Sequence, residues 1–257
     1  MSAVLNIEAL THDFGGLRAV ADFHLTMEPG EIVGLIGPNG AGKTTVFNLI
    51  TGVYHPTKGQ IHFNGTSLIG MKPHRIAELG IARTFQTIRL YGDLTALQNV
   101  ALGSQFRVRY GFVPTILRLP TFYREEEQIR KEAMELLALF KLDNRATTMA
   151  RNLPYGEQRR LEICRALAST PQLVLLDEPA AGMNPQEVEA LMELIQWVHK
   201  QFKLTTLLIE HQMRVVMGIC PRIVAMDFGA ILATGTPKEI QGNQRVIEAY
   251  LGKEEVD

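Results

Sequence analysis

Residues 37–45 read Gly-Pro-Asn-Gly-Ala-Gly-Lys-Thr-Thr, and their types and spacing suit one chemical task. Gly37, Gly42, Lys43 and Thr44 fit the pattern of a phosphate-binding loop. The stretch follows a short apolar run, "EIVGLIG", and opens "TTVFNLITGV", which has helical spacing. That strand-to-helix context is the one such a loop requires. Glycines let successive backbone N–H groups curl around phosphate oxygens, and the helix N-terminus adds a favourable field. Pro38, Asn39, Gly40, Ala41 and Thr45 fill out the cradle. Lys43 is expected to reach the β- and γ-phosphates of a nucleotide, and the Thr44 hydroxyl to ligate Mg²⁺.

A second stretch, "LVLLDEP", complements the first. Asp177 ends an apolar strand, where its carboxylate projects past the sheet edge towards a metal. Glu178 beside it is placed to align and polarise an attacking water. A third stretch, "NLPYGEQRRLEI", has the glycine and polar tail of a phosphate-touching loop but carries Pro154 where a small hydroxyl is expected. Proline offers neither a hydroxyl nor a backbone N–H.

These residues need a frame. "VLNIEAL" and "AVADFHLTM" alternate apolar and polar as strands do, and "KGQIHFNGTSL" predicts a hairpin arm turning at Asn64-Gly65. "KPHRIAELG" predicts a short helix between Pro73 and Gly80, and "IARTFQ" a strand. From Asp93 the pattern turns helical, in "LTALQNVAL" and "REEEQIRKEAMELLALFKL". In the second of these, Ile129, Ala133, Leu136, Leu137 and Phe140 share a face. Between them "RVRYGFVPTILRLPTFYR" shows no period and is expected to be an irregular insertion. Strand–helix alternation then resumes through "QLVLLDEP", "QEVEALMELIQWVHKQF" and "TTLLIEH". A hairpin turning near Phe228-Gly229 and one closing helix, "PKEIQGNQRVIEAYLG", complete the chain. The expected fold is an α/β core of the phosphate-loop type, with an N-terminal antiparallel β region and an inserted helical subdomain. Residues 1–92 and 159–257 would form the core and 93–158 the subdomain, ending in the loop that carries Pro154.

Composition narrows the class. The 257 residues can bury a substantial core, and 46% hydrophobic with 21% charged residues fits a globular protein rather than a disordered one. A formal net charge of -1 speaks against wrapping nucleic acid. No apolar run approaches the ~20 residues that span a bilayer, and "MSAVLNIEALTHDFGG" lacks the pattern of a signal peptide. Cys164 and Cys220 sit in apolar-periodic segments and are expected to be buried, reduced and structural.

Phosphate loop, "LPYGEQRR", "LLDEP" and "IEH", in that order, resemble the nucleotide-binding subunits of ABC transporters, over nearly the whole chain. The resemblance implies ATP and Mg²⁺ as cofactors and further roles along the chain. Gln86 would contact Mg²⁺ and sense the membrane subunit, and His211 would hold the γ-phosphate. Phe14 would stack on adenine. Leu153, Pro154, Tyr155, Gly156 and Glu157 would form the signature loop facing the nucleotide of a second subunit. "GGLRAV", "IARTFQTIRLY", "YGEQRRLEI", "LDEPAAGMNP" and "AYLG" are similar to one branch, the longer ATPase of bacterial branched-chain amino-acid importers. The expected partners are integral-membrane permease subunits, a second and non-identical ATPase subunit and, indirectly, a substrate-binding protein, with no nucleic acid. The expected location is the cytoplasmic face of the bacterial inner membrane.

Two departures stand out. Pro154 replaces the usual signature serine and also suits a helix start. Asn184 stands where the family usually has Asp, and Asn is also a good N-cap, with Pro185 and Glu187 following. Alternative readings are the ATPase of lipopolysaccharide export, which lacks such a long insertion, and a soluble ABC-type ATPase acting on DNA or ribosomes. A nucleotide-binding regulator without turnover is a third.

Overall fold

Strands of two kinds make up the first of two units. The computed structural model describes residues 3–107 and 120–251. Most of the expected irregular insertion, residues 108–119, lies outside them. The chain packs as two compact units, Met1–Arg83 with Gln172–Asp257, and Thr84–Pro171.

In the first unit β1 (Leu5–Phe14), β2 (Leu17–Met27), β4 (Lys58–Phe63) and β5 (Thr66–Ser67) form an antiparallel sheet ordered β2-β1-β4-β5. Asn64 and Gly65, both at positive φ, make the tight turn between β4 and β5. β1 runs four residues past "VLNIEAL", because an irregularity at Ala9 (φ 48°) resets the register and lets pairing with β2 continue to Phe14.

The second sheet has the order β10-β9-β3-β8-β7-β6. Its strands are β3 (Ile32–Ile36), β6 (Ile81–Arg83), β7 (Leu173–Asp177), β8 (Thr205–Ile209), β9 (Arg222–Asp227) and β10 (Ala230–Gly235). Pairing is parallel except for the β9–β10 hairpin, which turns at Phe228-Gly229. Every residue of β3, β7 and β8 is buried, which is why these strands are continuous apolar runs rather than alternating ones. Leu5, Phe23 and Phe63 of the first sheet, Phe47 and Ile50 of α1 (Lys43–Ile50), and Leu175 and Leu207 of the second sheet share one apolar core.

Register sets the site. Ile209 at the end of β8 pairs with Leu35 of β3 on one side and Asp177 of β7 on the other. Three adjacent parallel strands therefore end level, and the loops that follow them emerge along one edge.

Helix α2 (Pro73–Glu78) begins at Pro73, and Gly80 follows at φ 103°. Helix α6 (Pro185–Phe202) buries Val188, Leu191, Ile195 and Val198 at helical spacing. Asn184 is its N-cap, with Oδ1 accepting from the N–H groups of Gln186 and Glu187 at 3.0 Å each, and Glu187 returning the bond to the Asn184 N–H. Asn184→Ala should lower stability by about 1 kcal/mol, a fall in melting temperature of roughly 2–4 °C. A melting curve superposing on the wild type would show that the cap contributes nothing.

In the second unit α3 (Ala96–Gly103) opens on a reciprocal cap between Thr95 and Gln98. Helix α4 (Pro120–Leu139) includes residues 120–124, so the last residues of the expected irregular stretch are helical; Ala133, Leu137 and Phe140 are buried. Helix α5 (Tyr155–Ala168) begins directly after Pro154, which is its N-cap and so sits at a helix start. Strand β6 stops at Arg83, short of "TFQ". The closing segment is two helices, α7 (Pro237–Gln241) and α8 (Gln244–Leu251), rather than one. Asn243 causes the break: its side-chain oxygen accepts from the N–H groups of Arg245 (3.1 Å) and Val246 (3.3 Å), capping a fresh helix. Cys164 and Cys220 are free and buried, and burial pushes the Cys220 thiol up to about 12 and Cys164 higher still.

Candidate nucleotide site

The loop between β3 and α1 contains two glycines that no other residue could replace without rearrangement. Gly37 has φ 150°, and a Cβ there would lie 2.2 Å from the Met226 carbonyl oxygen. Gly42 has φ 99°, and its Cβ would lie 2.4 Å from the Ala19 carbonyl oxygen. Being a glycine, Gly42 gives α1 no side-chain cap, so the first-turn N–H groups keep their capacity to bind an anion. Asn39, Gly40 and Thr44 are exposed, Thr45 is half-buried and Pro38 and Ala41 are buried. The Lys43 ammonium is buried against the loop, donating to the carbonyl oxygens of Gly37 (2.7 Å) and Pro38 (2.9 Å). A cation held within the ring of the loop is well placed for phosphate oxygens.

The strand ends beside it bring the acids and the histidine together. Asp177 is buried at the end of β7, where Arg83 of β6 donates to its Oδ2 at 2.7 Å. Arg83 also donates to Asn48 Oδ1 of α1 at 2.7 Å, and its guanidinium lies 5.4 Å from the centre of the Phe47 ring. Glu178 leaves the strand at φ 46°, an unusual conformation for a non-glycine residue, held by its N–H donating to the Ile209 carbonyl at 2.9 Å. That turn points the carboxylate at the next loop, and Glu178 Oε1 lies 2.7 Å from His211 Nε2. Phe14, at the end of β1, is 42% exposed, with His12 and Tyr54 edge-on to its ring at 4.5 and 5.2 Å between centroids. Phe14, residues 37–45, Asp177, Glu178 and His211 thus all belong to the first unit.

Gln86 and the signature segment belong to the second unit. Gln86 is exposed, and its carbonyl accepts from Arg159 Nη2 at 2.9 Å. In the signature segment the Pro154 carbonyl accepts from the N–H groups of Glu157 and Gln158, both at 2.9 Å. Leu153 is buried, Tyr155 is exposed and Gly156 half-buried; the Glu157 carboxylate pairs with Arg145 at 3.1 Å.

Comparison with known proteins decides the family. The family model described as "ABC transporter" matches residues 20–181, and one described as "Branched-chain amino acid ATP-binding cassette transporter" matches residues 230–256. The chain belongs to the ABC transporter family of ATPases. The high-affinity branched-chain amino acid transport ATP-binding protein LivG of Escherichia coli is 44% identical over 97% of this chain and 98% of its own. The corresponding protein BraF of Pseudomonas aeruginosa is 43% identical over the same shares. A lipopolysaccharide export system ATP-binding protein, LptB of Haemophilus influenzae, is more distant, at 32% over 98% of each chain. Among solved structures, an ATP-binding cassette of an ABC transporter in its ADP conformation superposes with a TM-score of 0.85 at 27% identity. That superposition covers 98% of this chain and 100% of the other.

This ABC subunit also positions its site with residues that motif reading passed over. Arg83 holds Asp177. Arg159, fully buried, pairs with Glu162 at 2.8 Å and donates to the Phe85 carbonyl at 2.8 Å as well as to Gln86. Glu162 in turn accepts from the Arg89 N–H at 3.2 Å. Glu210, also buried, accepts from three backbone N–H groups, and burial pushes its carboxyl above the ordinary value despite those donors. A buried charge must be paired or hydrogen-bonded, so a charged residue inside an apolar stretch was the available signal. The "R" of "IARTFQ" and the "E" of "LLIEH" both gave it.

Proposed function

We propose that this chain is the ATP-hydrolysing subunit of a membrane importer for branched-chain or related amino acids, working on the cytoplasmic face against separate permease chains. The observation that carries the ATPase part is the level ending of β3, β8 and β7, which sets a phosphate loop beside the Glu178–His211 pair. The transport part rests on the two relatives that are about as similar along their whole length as each other, both named for branched-chain amino acids. Among the described residues no helix is long and apolar enough to cross a membrane, which fits a subunit acting through others.

In the mechanism the loop N–H groups and Lys43 bind the β- and γ-phosphates, Lys43 exchanging its bonds to Gly37 and Pro38 for phosphate oxygens. Phe14 stacks on the adenine. The hard oxygen donors Thr44 and Asp177 would hold Mg²⁺, Gln86 being the further ligand that the family resemblance implies, and the ion would neutralise phosphate charge. Glu178 accepts a hydrogen bond from the attacking water. The water oxygen bonds to the γ-phosphorus in line, the bond to the bridging oxygen breaks, and ADP leaves with that electron pair. His211 anchors Glu178 in position and reaches the γ-phosphate. Residues 93–158, which fall within the second unit, act as the helical subdomain.

The working assembly pairs this chain with a non-identical ATPase whose signature serves this chain's phosphate loop. Pro154 supplies no hydroxyl to the nucleotide held by that partner, and Asn184 supplies no charge across the interface. Losing one donor to a charged phosphate oxygen is worth about 1.5–3 kcal/mol, enough to weaken one of two sites. Pro154→Ser should therefore strengthen ATP-driven self-association, measured by sedentation-velocity centrifugation with ATP. A tight, fully active ATP-bound homodimer of the unaltered chain would remove the asymmetry. Co-expression with permease chains of this importer class tests the assignment as a whole: the chain should co-purify with the detergent-extracted permease, and its recovery with nucleic acid instead would overturn it.

A further inference from the structure

Glu210 and Gln212 flank His211, and both reach the loop that follows Glu178. Glu210 Oε1 accepts from the Ala180 N–H at 2.6 Å, while Oε2 accepts from the N–H groups of His211 (3.1 Å) and Gln212 (3.4 Å). Gln212 Nε2 donates to the Ala180 carbonyl at 3.2 Å. Both backbone polar groups of Ala180, its N–H and its carbonyl, are thus gripped by the histidine loop. The grip sits next to the Glu178–His211 bond, and the same loop runs on to Asn184, the cap of α6.

We propose that Glu210 is a positioning residue that latches the 178–184 loop to the His211 loop, so that the distance between Glu178 and His211 is set by this buried carboxylate. The inference rests on the catalytic reading of Glu178 and His211 given above. A carboxylate is suited to the task because both oxygens only accept, and three N–H donors converge on them. Alanine would leave those donors buried without a partner. Glutamine keeps the shape but turns an NH₂ group against at least one of them. The effect should fall on the chemical step rather than on nucleotide binding, since Glu210 lies in neither the phosphate loop nor the adenine contact.

The test is a double-mutant comparison of steady-state hydrolysis in the assembled transporter. Glu210→Gln should lower kcat by about tenfold or more, the scale of a misplaced reacting group, with the KM for ATP unchanged. In a His211→Ala background the same substitution should cost no further activity, because the residue it positions is gone. Loss of activity that multiplies fully in that background, or a Glu210→Gln enzyme with wild-type kcat, overturns the latch. If His211→Ala alone keeps wild-type turnover, the catalytic reading fails and the latch with it; if His211→Ala is impaired and Glu210→Gln is not, only the latch fails. Should Glu210→Gln not fold, Gln212→Ala at an exposed position takes its place. It should reduce kcat and show the same non-additivity, and an unchanged kcat refutes the latch.

Discussion

Glu178→Gln should slow ATP hydrolysis by at least about 100-fold while ATP affinity stays near that of the wild type. Glutamine preserves the size of the side chain and can still meet His211, now 2.7 Å from Glu178 Oε1. What disappears is the carboxylate that orients the water and offsets the positive charge the water develops as it attacks. The phosphate loop, Lys43 and Asp177 remain, so binding energy common to the ground state and the transition state is kept. The variant should accumulate in an ATP-bound, closed assembly. Single-turnover phosphate release, read beside equilibrium binding of a fluorescent ATP analogue, separates the two effects. Turnover at the wild-type rate would show that another group orients the water.

Lys43→Ala acts earlier in the cycle. Its ammonium lies inside the loop and is the loop's own cation, bonded to the carbonyls of Gly37 and Pro38. Removing a charge-assisted bond to phosphate costs about 1.5–3 kcal/mol, so ATP affinity should fall by about 10- to 150-fold. The loop also loses the group that draws those two carbonyls together. Calorimetric titration with ATP reads the loss directly, and unchanged affinity would count against the placement of the phosphates.

Much of this was legible in the sequence where local chemistry decides the outcome. Residues 37–45 could be read because glycine, lysine and threonine at those spacings have few other uses, and the close approaches at Gly37 and Gly42 give the steric reason. Both hairpin turns, Asn64-Gly65 and Phe228-Gly229, and the Asn184 cap were visible for the same reason: one or two residues suffice to form them. Long-range pairing was not visible. Arg83 meets Asp177 across 94 residues, and Glu210 meets Ala180 across 30, so no sequence window contains both partners. Boundaries failed where a single side chain outvoted the periodicity. Asn243 broke the final helix in two, and a bulge at Ala9 carried β1 beyond its apparent end.

The central claim is that ATP hydrolysis at this site drives amino-acid import through separate membrane chains. Uptake of radiolabelled leucine into ATP-loaded proteoliposomes containing this chain, its permease partners, the second ATPase and the external binding protein tests it most directly. The account predicts uptake that requires internal ATP and is abolished when this chain carries Glu178→Gln. Hydrolysis that proceeds normally while no branched-chain amino acid enters, or uptake unaffected by Glu178→Gln, would contradict it.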